Sequence, residues 1–285
     1  MTVINTNVAS LYAQAAITTN ARQMTTTMQQ LSTGKRVNGA ADDAAGIAIS
    51  AKLTSQIRGL NQAIRNANDA ISMIQTAEGA TDAITNMLQR MRELTIQSGN
   101  ASYSNDDRKA MANEYDALAL EIDRVADTTK WNGFPVLNGT AGSSGTFMFD
   151  VDSGSGSLGK IDITIQSFKR GSGNGITVGT GSQIISSTMT ATSAQSLITN
   201  IDASIKFVNE QRANMGATIN RLQYTLDNLT NIETNTEASR SRIEDTDYSS
   251  ATAQLAKNNI IQQAATAMLA QANQQPQAVL QLLKQ

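Results

Sequence analysis

The residues best suited to chemistry in this chain cluster in one stretch, LSTGKRVNGAADDAAGIAIS, at positions 31–50. It holds a Gly-Lys pair, a second glycine and two adjacent aspartates, the raw material of a phosphate-binding loop or an acidic catalytic pair. Neither spacing fits. A P-loop places four residues between its first glycine and the Gly-Lys, then Ser or Thr after the lysine. Here Arg36 follows Gly34-Lys35, and no glycine precedes the pair at that distance. Asp42 and Asp43 are sequence neighbours, so on a helix their side chains diverge rather than share a proton. The stretch reads as a hinge. Gly34 ends one helix, Asn38-Gly39 turns the chain, and Asp42 and Asp43 occupy the first turn of the next helix, where acids are favoured.

The remaining candidates are weaker. DVDSGSG, at 150–156, spaces two aspartates like the start of a calcium loop, but the twelfth position is Ile161 instead of a carboxylate. Arg90, Arg92, Glu93 and Glu114 lie on expected exposed helix faces, where solvated i,i+4 pairing accounts for them. Asn138-Gly139-Thr140 matches a glycosylation sequon, a triplet that is common by chance. Trp131 opens a turn, WNGFPVLNG, and is expected to anchor it against the helices. The chain has no histidine and no cysteine, which removes imidazole acid–base chemistry, thiolate nucleophiles, His-ligated metals and disulfides. No catalytic, cofactor-binding or metal residue is expected, and the chain reads as a structural protein, not an enzyme.

The elements that carry these residues follow from periodicity. Aromatics are 4% of the 285 residues although hydrophobics are 40%, so the apolar content is mostly Ala, Ile, Leu and Met, which suits long helices meeting at narrow seams. Spacings of three and four recur in five runs: Ile17, Ala21, Met24, Met28, Leu31; Ile57 through Ile74, continuing past Gly79 to Ile84, Leu88 and Met91; Met111 to Val125; Met215 to Leu229, in a segment opening near Ser193; and a weaker run, Ala253, Ala256, Ile260, Ala264, Ala267. The second and fourth helices should each reach about 40 residues, or about 60 Å at 1.5 Å per residue. Residues 132–182 are rich in Gly, Ser, Thr and Asn and alternate at Phe147, Phe149, Val151 and at Ile161, Ile163, Ile165, as in two hairpin strands joined by DSGSGSLGK. The expected fold is mainly α: an elongated, antiparallel, coiled-coil-like bundle with N- and C-termini paired and a small β-hairpin region in the middle of the chain.

Charge and targeting narrow the partners. With 22 basic and 24 acidic residues interspersed, the net charge is −2, and no basic stripe offers itself to nucleic acid. No apolar run reaches the ~18 residues of a membrane span. The N-terminus lacks a basic n-region, its first positive charge being Arg22, so no cleaved secretory signal is expected. The terminal segments carry Ala, Asn, Gln and Thr with few large side chains; such helices are marginal alone and should fold fully only against copies of themselves.

Five blocks carry a resemblance to a known family: MTVINTNVASL, LSTGKRVNGAADDAAGIAIS, LQRMRELTIQSGN, EIDRVADTTKWNGFPVLNG, and the C-terminal run from SRIEDTDYSS to QAVLQLL. Across roughly 1–140 and 190–285 the chain strongly resembles bacterial flagellin, in a short form lacking large outer domains. The resemblance implies a subunit exported to the bacterial flagellum and self-assembled into the extracellular helical filament of motility. It implies an inner domain of terminal helices, 1–40 with 246–285, and a rod of three long helices, 41–245, with hairpins at about 132–182. The hinge residues Gly34, Asn38, Gly39, Asp42 and Asp43 would form the spoke between layers, and the first and fifth apolar runs would be assembly seams. Expected partners are copies of itself, an export chaperone, the filament cap, the hook–filament junction proteins and animal Toll-like receptor 5. That receptor would read an exposed face through Arg90, Leu94 and Glu114. Export would use the flagellum's own type III channel. A hook–filament junction protein and a surface adhesin or ligand receptor are the alternatives; the short Gly/Ser-rich middle offers little to the second, and a peptidase insert would need an HExxH that a histidine-free chain cannot supply.

Overall fold

A computed structural model describes residues 6–140, 145–151, 159–171, 175–178, 185–186 and 190–283, with backbone alone from 275 onward. The five helices are α1 (Val8–Thr33), α2 (Ala44–Ser98), α3 (Asn105–Thr128), α4 (Ala191–Glu244) and α5 (Tyr248–Leu283). Four short strands lie between α3 and α4: β1 (Lys130–Trp131), β2 (Phe134–Pro135), β3 (Thr146–Asp150) and β4 (Lys160–Thr164). The fold is mainly α with a small β region, as the periodicity implies. The chain forms two compact units, one of residues 1–55 with 234–285 and one of residues 56–233.

The long helices exceed their expected length: α2 has 55 residues and α4 has 54. α2 runs through Gly79, which is exposed and touches nothing where a Cβ would stand. α4 continues past Leu229 through the polar segment TNIETNTEASRSRIE, where apolar spacing gives no signal. α3 is capped as its sequence invites. The Ser104 hydroxyl accepts from the Asp107 amide at 3.2 Å while the Asp107 carboxylate accepts from the Ser104 amide at 3.0 Å; the Ser104 hydroxyl, donating to that carboxylate at 2.7 Å, and then the Ser104 amide hold the Asp107 carboxyl below its ordinary value.

Within the 56–233 unit, one core joins α2, α3, α4 and the strands. It contains Leu60, Ile74, Ile84, Leu88 and Met91 of α2, Tyr115 and Ile122 of α3, and Leu197, Ile201, Val208, Met215 and Leu222 of α4. Alanines are part of this core: Ala67, Ala70, Ala77, Ala119 and Ala126 are all fully buried. Alanine there allows helix backbones to approach, so tight packing substitutes for the bulky rings the chain lacks. Ion pairs trim the surface, Arg92 with Asp202 at 2.7 Å and Arg212 with Asp82 at 3.3 Å.

The β residues alternate as expected. β3 and β4 pair antiparallel with Phe147 opposite Ile163 and Phe149 opposite Ile161, and the isoleucines face the core. Of DVDSGSG, only Asp150 and Val151 are described; the joining stretch of DSGSGSLGK up to residue 158 lies outside the described residues. β1 and β2 form a tight hairpin whose two central residues, Asn132 and Gly133, both have positive φ (47° and 83°), the signature of a primed turn. Trp131 is half-buried against the core, and the segment after β4 is fastened to α3 by Arg170 to Asp123 and Lys169 to Asp127.

Because Ala67 is sealed between helices and Ala83 on the same helix is exposed, leucine at the two sites separates packing from propensity. Ala67→Leu is expected to destabilise by about 1–3 kcal/mol through overpacking, and Ala83→Leu to stay within about 0.5 kcal/mol. Urea denaturation followed by far-UV circular dichroism would read both, and equal shifts would contradict the tight seam.

Candidate functional site

α1 and α5 pair antiparallel within the 1–55/234–285 unit, and their seam is mostly polar. Asn7 Nδ2 donates to the Ala272 carbonyl at 2.8 Å, and Asn20 Nδ2 donates to the Asn258 carbonyl at 2.8 Å and to Gln262 Oε1 at 3.0 Å. The only fully buried residues of α1 are Asn20 and Thr27; on α5, Ala251 and Asn258 are buried. The half-buried positions complete a spacing of three and four on both helices: Ser10, Ala13, Ile17, Met24 and Leu31 on α1, and Leu255, Gln262, Ala265, Leu269 and Ala272 on α5.

This pair is weakly held. Among the described residues, Asn20 Oδ1 and Asn258 Nδ2 are buried without a hydrogen-bond partner, a cost of about 1–3 kcal/mol for each such group. Thr18, Thr25, Thr26, Thr27 and Thr33 turn their hydroxyls back to the carbonyls four residues earlier, a bond that weakens and bends helices. Large apolar side chains point away from the seam. Tyr12 is 75% exposed, Ile260 67% and Met268 66%, with Val8, Leu11, Met28 and Ile261 also open.

The two runs expected as assembly seams lie differently. On α5, Ala253, Ala256, Ile260, Ala264 and Ala267 are all exposed, and the face turned to α1 is Ala251–Leu255–Asn258–Gln262, where Asn20 bonds to the Asn258 carbonyl and the Gln262 side chain. On α1, Ile17, Ala21, Met24 and Leu31 are half-buried, whereas Met28 is exposed, displaced by the buried Thr27.

The hinge is a cross-linked turn. Gly34 caps α1 with φ 72° and its N–H on the Gln30 carbonyl, and a Cβ there would also meet the Tyr248 hydroxyl at 3.2 Å. Asp42 and Asp43 precede α2 instead of lying in its first turn. Asp42 Oδ2 accepts from the amides of Asn38 (3.1 Å) and Gly39 (3.0 Å), and Asp43 Oδ1 caps α2 by accepting from the Gly46 amide at 2.8 Å. A short antiparallel bridge joins Lys35 to Asp245, with the Arg36 amide donating to the Glu244 carbonyl and the Thr246 amide to the Gly34 carbonyl. Glu244 is the clasp. Its carboxylate pairs with the Lys35 ammonium and accepts from the Ser50 hydroxyl, so α1's end, α2 and the α4–α5 junction meet on one side chain. Nothing in the local sequence signals this, since its partners are 194 and more residues away.

The expected recognition residues are brought together in part. Arg90 Nε donates to Glu114 Oε1 at 2.8 Å and Arg90 pairs with Glu93 at 3.1 Å, all on an exposed face. Leu94 is not exposed. It is 1% accessible and belongs to the core, continuing the Ile84, Leu88, Met91 stripe that the sequence displays.

A helical chain whose first and last helices pair through a weak polar seam and turn apolar side chains outward is of the class that completes itself in an assembly. Comparison with known proteins gives the family. Residues 4–142 match the bacterial flagellin N-terminal helical region and residues 198–283 the bacterial flagellin C-terminal helical region. The chain is 43% identical to flagellin of Halalkalibacterium halodurans, covering 99% of this chain and 100% of that one. It is 36% identical to flagellin of Listeria innocua, covering 98% and 99%. A putative flagellar hook-associated protein from Vibrio parahaemolyticus shares the fold, with a TM-score of 0.60 at 14% identity over 72% of this chain and all of that one. The chain belongs to the bacterial flagellin family, in a short form, and is a structural subunit of the extracellular flagellar filament.

The clasp titrates. Lys35 first, then Ser50, hold the Glu244 carboxyl below its ordinary value, and Arg240 adds to this. A depressed carboxyl stabilises fully above its unfolded value and loses that contribution as pH falls through the folded one. Exchange protection at the Arg36 and Thr246 amides is therefore expected to fall on acidification. Glu244→Gln should show the reduced protection at neutral pH and little further change in acid. Undiminished protection in Glu244→Gln would remove the clasp.

Proposed function

We propose that assembly proceeds through the terminal helices, the observation in support being the exposed apolar face that α1 and α5 keep while paired. Each large side chain covered by a neighbouring subunit contributes about 1.5–3 kcal/mol. Summed over Tyr12, Leu11, Met28, Ile260 and Met268 in each copy, that offsets a seam too polar to hold firmly alone. Residues 1–40 and 246–285 form the inner tubular layer around a central channel, and 41–245 form the surrounding rod. The exposed stripe Ala253, Ala256, Ile260, Ala264, Ala267 is the surface that a neighbouring subunit covers. The spoke between layers is Gly34 to Asp43, fastened by Glu244. The protein performs this role without catalysing a reaction.

The subunit leaves the cell unfolded through the flagellum's type III channel, where cysteine-free chains form no crosslinks and marginal terminal helices thread easily. An export chaperone holds the C-terminal segment, the cap guides insertion, and junction proteins seat the filament on the hook. Toll-like receptor 5 reads the face bearing Arg90 and Glu114. Leu94 acts there from beneath, packing the helix that presents Arg90.

Two experiments test this. Full-length protein seeded with short filaments is expected to grow smooth filaments by negative-stain microscopy. Deletion of residues 1–40 or 246–285 is expected to abolish growth while the 56–233 unit keeps its helical signal; growth by either deletion would refute the terminal-helix mechanism. For the receptor, monomer should activate reporter cells and Arg90→Ala with Glu114→Ala should lower potency at least tenfold. Silence with the unsubstituted monomer would end that reading.

A further inference from the structure

We propose that Asn20 and Gln262, whose side chains bond across the seam, select the register in which α1 and α5 pair, acting as specificity residues for the terminal helices. The proposal rests on the helix pair itself and holds whether or not filaments form. The printed bonds fix the native alignment: Asn7 lies opposite Ala272, and Asn20 opposite Asn258 and Gln262. Carried along both helices, this alignment sets Met24 against Leu255, Leu31 against Tyr248, Ile17 against Gln262 and Ser10 against Leu269.

Apolar contact does not single out that arrangement. Both helices present a repeat of three and four, so a slide by one heptad, about 10 Å, restores an inward-facing stripe. The slid pair sets Leu31 against Leu255 and Ile17 against Leu269, matching at least as much branched apolar surface as the native one. Small residues do not oppose it, because Ala13 would exchange Ala265 for Ala272. What changes is the fate of the amides. Asn20 would face Ala265, whose carbonyl can stand in for that of Asn258, but Leu269 would take the place of Gln262, so the side-chain bond between Asn20 and Gln262 would break beside an Asn20 that is only 4% exposed, leaving the Gln262 amide against Met24. A buried amide that loses its partner disfavours the slid state, and a polar residue at one inward position is the known means of fixing coiled-coil register. The Gly34–Thr246 bridge opposes the slide at one end only; Asn20 and Gln262 act midway along the pair.

The chain's lack of cysteine makes the test clean. In full-length soluble protein, Ala13→Cys with Ala265→Cys reports the native register, and Ala13→Cys with Ala272→Cys reports the slid one, since a disulfide needs Cα atoms within about 7 Å. With Asn20 and Gln262 present, the first pair should oxidise and the second should not. With Asn20→Leu and Gln262→Leu, the second pair should oxidise at least tenfold faster than before. Gln262→Leu alone should do the same, which guards against a misfolded double variant, and circular dichroism should show helix content kept. Exclusive native crosslinking in the leucine variants would overturn the proposal. So would equal crosslinking of both pairs in the presence of Asn20 and Gln262.

Discussion

Asn20 reaches across the α1–α5 seam to the Asn258 carbonyl and the Gln262 side chain, in positions where a self-sufficient coiled coil would bury leucine. Much else in the chain follows from that choice. A seam of amides, threonine and alanine buries little apolar surface and leaves two amide atoms unpaired. It specifies geometry more than it supplies stability. The large apolar side chains of the same helices are thereby left exposed. In the proposed assembly they are what a neighbouring subunit covers, so the polar and apolar faces divide the work of pairing within a subunit and between subunits.

The 56–233 unit follows the opposite rule. Its alanines Ala67, Ala70, Ala77, Ala119 and Ala126 share one core with Ile74, Ile84, Leu88, Tyr115 and Ile122, all with no exposure. Its capped third helix and its ion pairs add local definition, but dense packing carries it. Between Gly34 and Asp43 the chain uses neither device. There the backbone is held by specific bonds, Asp42 on two successive amides, Asp43 on the start of α2, and Glu244 drawing in Lys35 and Ser50 from distant segments.

The sequence displayed what depends on local chemistry. Gly34, Asn38-Gly39 and the strand alternation at Phe147, Phe149, Ile161 and Ile163 announce a cap, a turn and a hairpin because the backbone demands those residue types there. It was silent on which face of a helix poor in apolar residues pairs within the subunit. On α5, alanines occur on every side, and the Ala253–Ala267 spacing does not reveal that the face paired with α1 runs through Asn258 and Gln262. A search for spacings of three and four that admitted asparagine and threonine would have found it, on α1 as well. Leu94 was misplaced for a different reason: resemblance transfers a residue type without its exposure, although its place in the Leu88–Met91 stripe marked it as core. Glu244 was illegible, because no periodicity connects it with Ser50.

The two compact units part between residues 55 and 56 and again between 233 and 234, and both points fall inside α2 and α4. There is no linker at either crossing; the helical hydrogen-bond ladder simply continues. Where domains are joined by a flexible segment, one can be ordered or disordered while the boundary stays fixed. In a continuous helix the limit between ordered and frayed chain is a front that advances or retreats one residue at a time, each step exchanging one backbone bond. The ordered length of such a subunit is therefore a graded quantity, set turn by turn by whatever covers the exposed end.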